Sequence, residues 1–179
     1  MSRFQQLWVR SAFLAAGLLV IFTTGHVTSA SGQFPFFENP LVGERAPEFT
    51  LTSLSGKSAS LFQLRGGKPA IIFFWATWCP HCREQLGHLK SITEEIQQKG
   101  YQLILVDLQE DPDAVQGFLD RQQMAFDVLL DVDAGVAEQY GVVGVPSLYF
   151  VDASGIIRGV EHALPKDYES YFSSAASVK

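Results

Sequence analysis

The chain has two cysteines, Cys79 and Cys82, and two residues separate them. They stand where an apolar run, Ala70 to Trp75, gives way to a helix-like pattern. A Cys-x-x-Cys pair is open to four chemistries. As a structural disulfide it would close a loop so short that little unfolded-state entropy is removed. A zinc site needs two further ligands; there is no second Cys pair, and only His88 or His162 could help. Covalent haem attachment requires His directly after the second Cys, a position held by Arg83. The remaining chemistry is a dithiol that cycles with its disulfide.

The local pattern supports that chemistry. Pro80 suits the first turn of a helix, where its missing amide hydrogen costs nothing. Cys79 then lies at the helix N-terminus, where free amides and the helix dipole stabilise a thiolate and make it a good leaving group. Cys82, one turn later, is expected to be more buried and to resolve a mixed disulfide with a substrate. Cys79 attacks and Cys82 resolves. Between them, a partly charged His81 near the Cys79 sulfur would favour the thiolate and make the couple more oxidising. The alternative for His81 is a solvated surface residue with no electronic role. Trp75 is expected in the core, and Trp78, next to Cys79, on the substrate surface.

These residues need a scaffold, and the pattern of the chain supplies one. Glu48 to Thr52 and Ser58 to Leu61 alternate polar and apolar residues around Ser55-Gly56-Lys57, which reads as a β-hairpin. Ala70 to Trp75 has the unbroken apolar character of a central strand. Leu86, Leu89, Ile92 and Ile96 carry a helix to about Gln98, with Gly100 beyond it. Tyr101 to Leu108 is a second strand, and Asp111-Pro112 opens a helix whose inward stripe is Val115, Phe118 and Leu119. Phe126 to Leu130 is a third strand, and Asp133 to Tyr140 a short helix that Asp131 and Asp133 would cap. Ser147 to Val151 and Gly155 to Val160 form a late hairpin, and Pro165 to Ala175 a closing helix. Strands alternating with helices imply parallel pairing with right-handed crossovers, to which the late hairpin adds an antiparallel edge.

Composition narrows the class. The chain of 179 residues is 47% hydrophobic and 18% charged, the profile of a packed domain. A net charge of -6 without any basic run gives no footprint for nucleic acid. At the N-terminus, Arg3 and Arg10 precede an uncharged apolar run of 11 residues, Ala12 to Phe22, and Thr28-Ser29-Ala30 supplies small residues. Residues 1–30 therefore read as a signal peptide cut after Ala30, or as an uncleaved N-terminal anchor. Residues 31–43, rich in Gly, Pro and Phe, read as a linker, and 44–179 as the domain. Either leader places the domain in an oxidising, extracytoplasmic compartment such as the periplasm.

Three motifs in order, Gly43-Glu44-Arg45-Ala46-Pro47-Glu48-Phe49, Trp75-Ala76-Thr77-Trp78-Cys79-Pro80-His81-Cys82 and Gly144-Val145-Pro146-Ser147-Leu148-Tyr149-Phe150-Val151-Asp152, resemble thioredoxin-fold proteins of the TlpA/ResA type. The resemblance spans about Gly43 to Tyr168. It implies an α/β thioredoxin fold, with a central mixed β-sheet flanked by helices and an N-terminal β-hairpin extension. It also implies thiol–disulfide exchange with protein substrates. No cofactor or metal is expected, and a monomer is expected. By the same resemblance Pro146 is the cis-proline beside the disulfide, and Val145 offers backbone groups to an extended substrate segment, with Trp78 and Pro80 on the same surface.

The departures from that family concern the direction of electron flow. The dipeptide Pro80-His81 and the Val145 that precedes Pro146 are similar to those of DsbA-type oxidases. Phe73 stands where thioredoxin has a buried aspartate, and Gln85 where ResA-like proteins have a carboxylate; Glu84, one position early, is expected on the surface. The scaffold suggests a reductase for cytochrome c maturation fed by a membrane partner of the DsbD/CcdA kind, and the dipeptide an oxidase or isomerase with a DsbB-like partner. Two other activities share the scaffold. A peroxiredoxin-like thiol peroxidase would want Pro and Thr where Ile72 and Ala76 stand, and a copper metallochaperone would want its cysteines three residues apart.

Overall fold

Ala70–Trp75 forms a strand in which every residue is buried, and it divides the core in two. Alternation along a strand sends successive side chains to opposite faces. Ile71, Phe73 and Trp75 join one apolar cluster, and Ala70, Ile72 and Phe74 the other. Full burial of each such side chain contributes about 1.5–3 kcal/mol, so this strand anchors both layers.

The computed structural model describes residues 39–173. The leader expected over 1–30 and most of the 31–43 linker lie outside them. In chain order the elements are β1 (Thr50–Ser53), β2 (Ser58–Ser60), α1 (Leu61–Arg65), β3 (Ala70–Trp75), α2 (Pro80–Gln98), β4 (Gln102–Leu108) and α3 (Pro112–Arg121). There follow β5 (Val128–Asp131), α4 (Gly135–Gln139), β6 (Ser147–Val151), β7 (Ile157–Glu161) and α5 (Ser170–Ser173). The seven strands make one sheet in the order β2-β1-β5-β4-β3-β6-β7. β3 pairs parallel with β4, and β4 with β5, while β6 runs antiparallel to β3. This mixed sheet with helices on both faces is a thioredoxin-like fold.

The helices divide by their apolar stripes. Cys82, Leu86, Leu89 and Ile96 of α2, spaced by four, three and seven, lie on one side of the helix. With Val115, Phe118 and Leu119 of α3 they cover the face that holds Phe73 and Trp75. Leu61 of α1 and Val136 and Ala137 of α4 cover the other face. Asp131 accepts from the amides of Val136 and Ala137, and Asp133 from that of Gly135, so both carboxylates cap α4.

Several boundaries differ from expectation. The hairpin strand expected to run through Leu61 stops at Ser60, because Ser60 and Gln63 form a reciprocal capping box that turns the chain into α1. β5 begins at Val128 rather than Phe126 and includes Asp131. The closing helix begins only at Ser170, because Tyr168, Ser170 and Tyr171 donate to carbonyls three residues back, which makes turns; residues 174 and 175 are outside the described part. Finally, the linker expected to reach Gly43 ends earlier. Asn39 Nδ2 donates to Tyr140 O (2.9 Å) and to Tyr149 Oη (2.8 Å), and the Gly43 amide donates to Ile157 O (2.8 Å). Residues 39–43 belong to the domain.

Candidate active site

β3 delivers the chain to the reactive segment, and α2 begins there. Beyond Trp75, the loop of Ala76, Thr77 and Trp78 leads into Cys79, whose extended backbone (φ -84°, ψ 112°) is the N-cap of α2. Pro80 follows in the first turn. Cys79 and Cys82 are joined as a disulfide, and the Cys82 amide donates to Cys79 Sγ at 3.2 Å. A thiolate on Cys79 would keep that donor. The two sulfurs differ in access, since Cys79 is 4% exposed and Cys82 0%.

The segment before β6 comes up beside them. Val145–Pro146 is a cis peptide bond, and Cys79 Sγ lies 3.5 Å from Val145 O. Two side chains hold this segment in place. Ser147 Oγ donates to Gly144 O at 2.7 Å, and His162 Nδ1 lies 2.8 Å from Pro146 O. A carbonyl can only accept, so His162 carries its hydrogen on Nδ1. Among the described residues no three His, Cys, Asp or Glu side chains form a group that could hold a metal ion.

The other residues singled out in the sequence fall around this centre. Trp78 is 66% exposed, and Pro80 is exposed. Trp75 is buried in the core and tilts against Phe118. The His81 side chain is exposed, and its Nδ1 lies 3.9 Å from Glu84 Oε2. Gln85 accepts from the Leu164 amide at 2.9 Å, which ties α2 to the chain beyond β7.

Sequence reasoning missed an acidic pair behind the loop. The Thr77 amide donates to Glu110 Oε2 and the Thr77 hydroxyl to Glu110 Oε1, both at 2.5 Å. Asp107, near the end of β4, is 1% exposed, and burial, reinforced by contact with Glu110, pushes its carboxyl up to about 8. The available signal was a carboxylate within the apolar run Leu103-Ile104-Leu105-Val106-Asp107-Leu108.

Residues 42–160 match the AhpC/TSA family. The thiol-disulfide oxidoreductase ResA of Halalkalibacterium halodurans is 30% identical over 157 residues, which covers 88% of this chain and 86% of the relative. Among solved structures, a thiol:disulfide interchange protein from Bacteroides sp. is similar with a TM-score of 0.62 and 26% identity, over 76% of this chain and 93% of that one. A secreted Mycobacterium tuberculosis disulfide oxidoreductase, described as homologous to E. coli DsbE, is similar with a TM-score of 0.59 and 28% identity, over 68% and 91%. Most of the chain thus falls within one family, and the three relatives above carry names of thiol–disulfide chemistry: this protein belongs to the AhpC/TSA family and is a thioredoxin-fold thiol-disulfide oxidoreductase of the ResA type.

Proposed function

We propose that the protein is exported and reduces disulfides of client proteins by cycling Cys79–Cys82, in cytochrome c maturation, with electrons drawn from a membrane partner of the DsbD/CcdA kind. The observation that carries the reading is the disulfide at the head of α2, with the exposed Trp78 next to Cys79 and the Val145 carbonyl 3.5 Å from Cys79 Sγ. An exposed aromatic beside a backbone carbonyl suits an extended protein segment better than a small polar substrate. Cys79 is the attacking thiol, Cys82 resolves the mixed disulfide, and Val145 and Pro146 lie where the segment would pass. Export is supported by the leader-like residues 1–30 and by the secreted mycobacterial relative.

The direction rests on electrostatics. An imidazolium on His81 would favour the thiolate, but its side chain is 84% exposed and Glu84 stands beside it, so its effect is screened and offset. An ionised Glu110 behind Thr77 would act the other way, because negative charge near a thiolate disfavours it and makes the couple more reducing. Equilibration of the full chain with glutathione buffers tests the reading. The expected reduction potential is near that of thioredoxin, about -270 mV or lower. A value of roughly -120 to -180 mV, in the range of DsbA and protein disulfide isomerase, would overturn the reductase and make the protein an oxidase or isomerase with a DsbB-like partner.

A further inference from the structure

β4 carries one acid in a strand whose other residues from Leu103 to Leu108 are apolar, and its surroundings give that acid little to bond to. Register sets Asp107 beside Trp75 of β3 and Leu130 of β5. Alternation places it on the same face as Leu105, which shares a cluster with Cys79 and Cys82. Neither Asp107 oxygen has a donor to accept from. An ionised carboxylate so placed would be costly, and such a group keeps its proton instead. The polar side chain at hand is another acid, Glu110. Two carboxyls bond only when one of them is protonated, since an ionised carboxylate is an acceptor alone.

Glu110 is itself engaged on its far side. Both of its oxygens accept from Thr77, one from the amide and one from the hydroxyl. Thr77 is two residues ahead of Cys79. The chain between the two acids turns at Gln109, whose φ of 57° lies in the left-handed region that a non-glycine residue seldom adopts. A strained residue between a buried acid and the residue that grips the reactive loop is the kind of backbone outlier that accompanies function.

We propose that Asp107 and Glu110 hold one proton between them and act as a positioning pair for the dithiol, so that losing the proton loosens the grip on Thr77 and shifts the loop carrying Trp78 and Cys79. The proposal rests on the thiol–disulfide reading of the same site. With the proton present, Asp107 donates to Glu110, which keeps its acceptor oxygens on Thr77. Once the proton is gone, two carboxylates in contact repel each other, and the more exposed Glu110 moves.

Few other charges bear on the pair. From β3 the neighbour is Trp75, whose indole Nε1 has no acceptor, and from β5 it is Leu130. From α2 come Cys79 and Cys82, which do not titrate as a disulfide, and α3 covers the face with Val115 and Phe118. Asp131, one residue further along β5, is taken up by the amides of α4. Asp111 and Asp113, at the start of α3, are exposed.

The test uses the full chain in its oxidised form, so that no thiol titrates. Tryptophan emission is followed from well below to well above pH 8. The expected result is a transition centred near 8 that disappears in Asp107→Asn, which keeps a donor for Glu110 but cannot ionise. The difference signal should also vanish in Trp78→Phe, because it reports the loop. A transition that persists in Asp107→Asn, or none in the parent chain, overturns the proposal. A signal that survives in Trp78→Phe overturns it too, because the acid would then titrate beside Trp75 without moving the loop. Should Asp107→Asn fail to fold, Glu110→Gln provides the reading: removing the second acid should move the transition to lower pH, and an unchanged midpoint counts against the pair. Glutathione equilibration at neutral pH, run separately, reports on the reductase reading alone.

Discussion

At the scale of single residues, Asp107 ties the stability of the fold to pH. In the unfolded chain its carboxyl loses a proton in the ordinary range, near about 4, whereas in the fold burial holds the proton up to about 8. Between those values the folded state binds a proton that the unfolded state does not. Stability is therefore fully present below the ordinary range and is lost as pH rises through about 8. One proton sets the limit at about 1.4 kcal/mol per pH unit. Urea unfolding at a series of pH values should show this decline in the parent chain and a flatter profile in Asp107→Asn; parallel profiles would mean that the acid is not the cause. The two cysteines were readable from spacing and from the proline between them. Asp107 was not, because one acid near the end of an apolar run reads as a strand terminus. Only the strand register and the cover from α3 reveal that it is enclosed.

At the scale of elements, the long periodic pieces were the legible ones. α2 begins at Pro80 and ends at Gln98 as its spacing implied, because Leu86, Leu89 and Ile96 leave one way to face the sheet. α1 was missed because its five residues are too few to show a period, although Ser60 and Gln63 stand at capping-box spacing. The last helix was overestimated because its apolar residues are held from outside the segment. Tyr171 stacks on Phe150 at 4.3 Å and Phe172 tilts against Tyr101 at 4.5 Å, so turns suffice to place them. That packing makes Gly159 of β7 sensitive: a Cβ there would stand 2.2 Å from Tyr171 Cε1. Gly159→Ala should destabilise the protein by about 1–3 kcal/mol through overpacking. In a Tyr171→Ala background the same change should cost clearly less. Equal costs in the two backgrounds, measured by denaturant unfolding, would show that Tyr171 is not the obstacle.

At the scale of the molecule, alternation between strand and helix foretold a parallel centre, and the late hairpin foretold the antiparallel edge. What could not be read was how the entry segment joins the body. Asn39 bonds to Tyr140 and Tyr149, about a hundred residues away, and the tyrosines pack edge-on with ring centroids 5.2 Å apart. Nothing local to Asn39 announces that contact. The unequal burial of the two sulfurs has a consequence at this same scale. Because Cys82 is wholly enclosed, a thiolate arriving from solvent can reach the disulfide only at Cys79. Client and electron donor must then take turns at one sulfur, so neither can bind productively while the other is attached. Steady-state turnover should follow double-displacement kinetics, with parallel reciprocal plots and each protein inhibiting the other at high concentration. Intersecting plots would mean that both partners dock together and that the molecule has a second entrance.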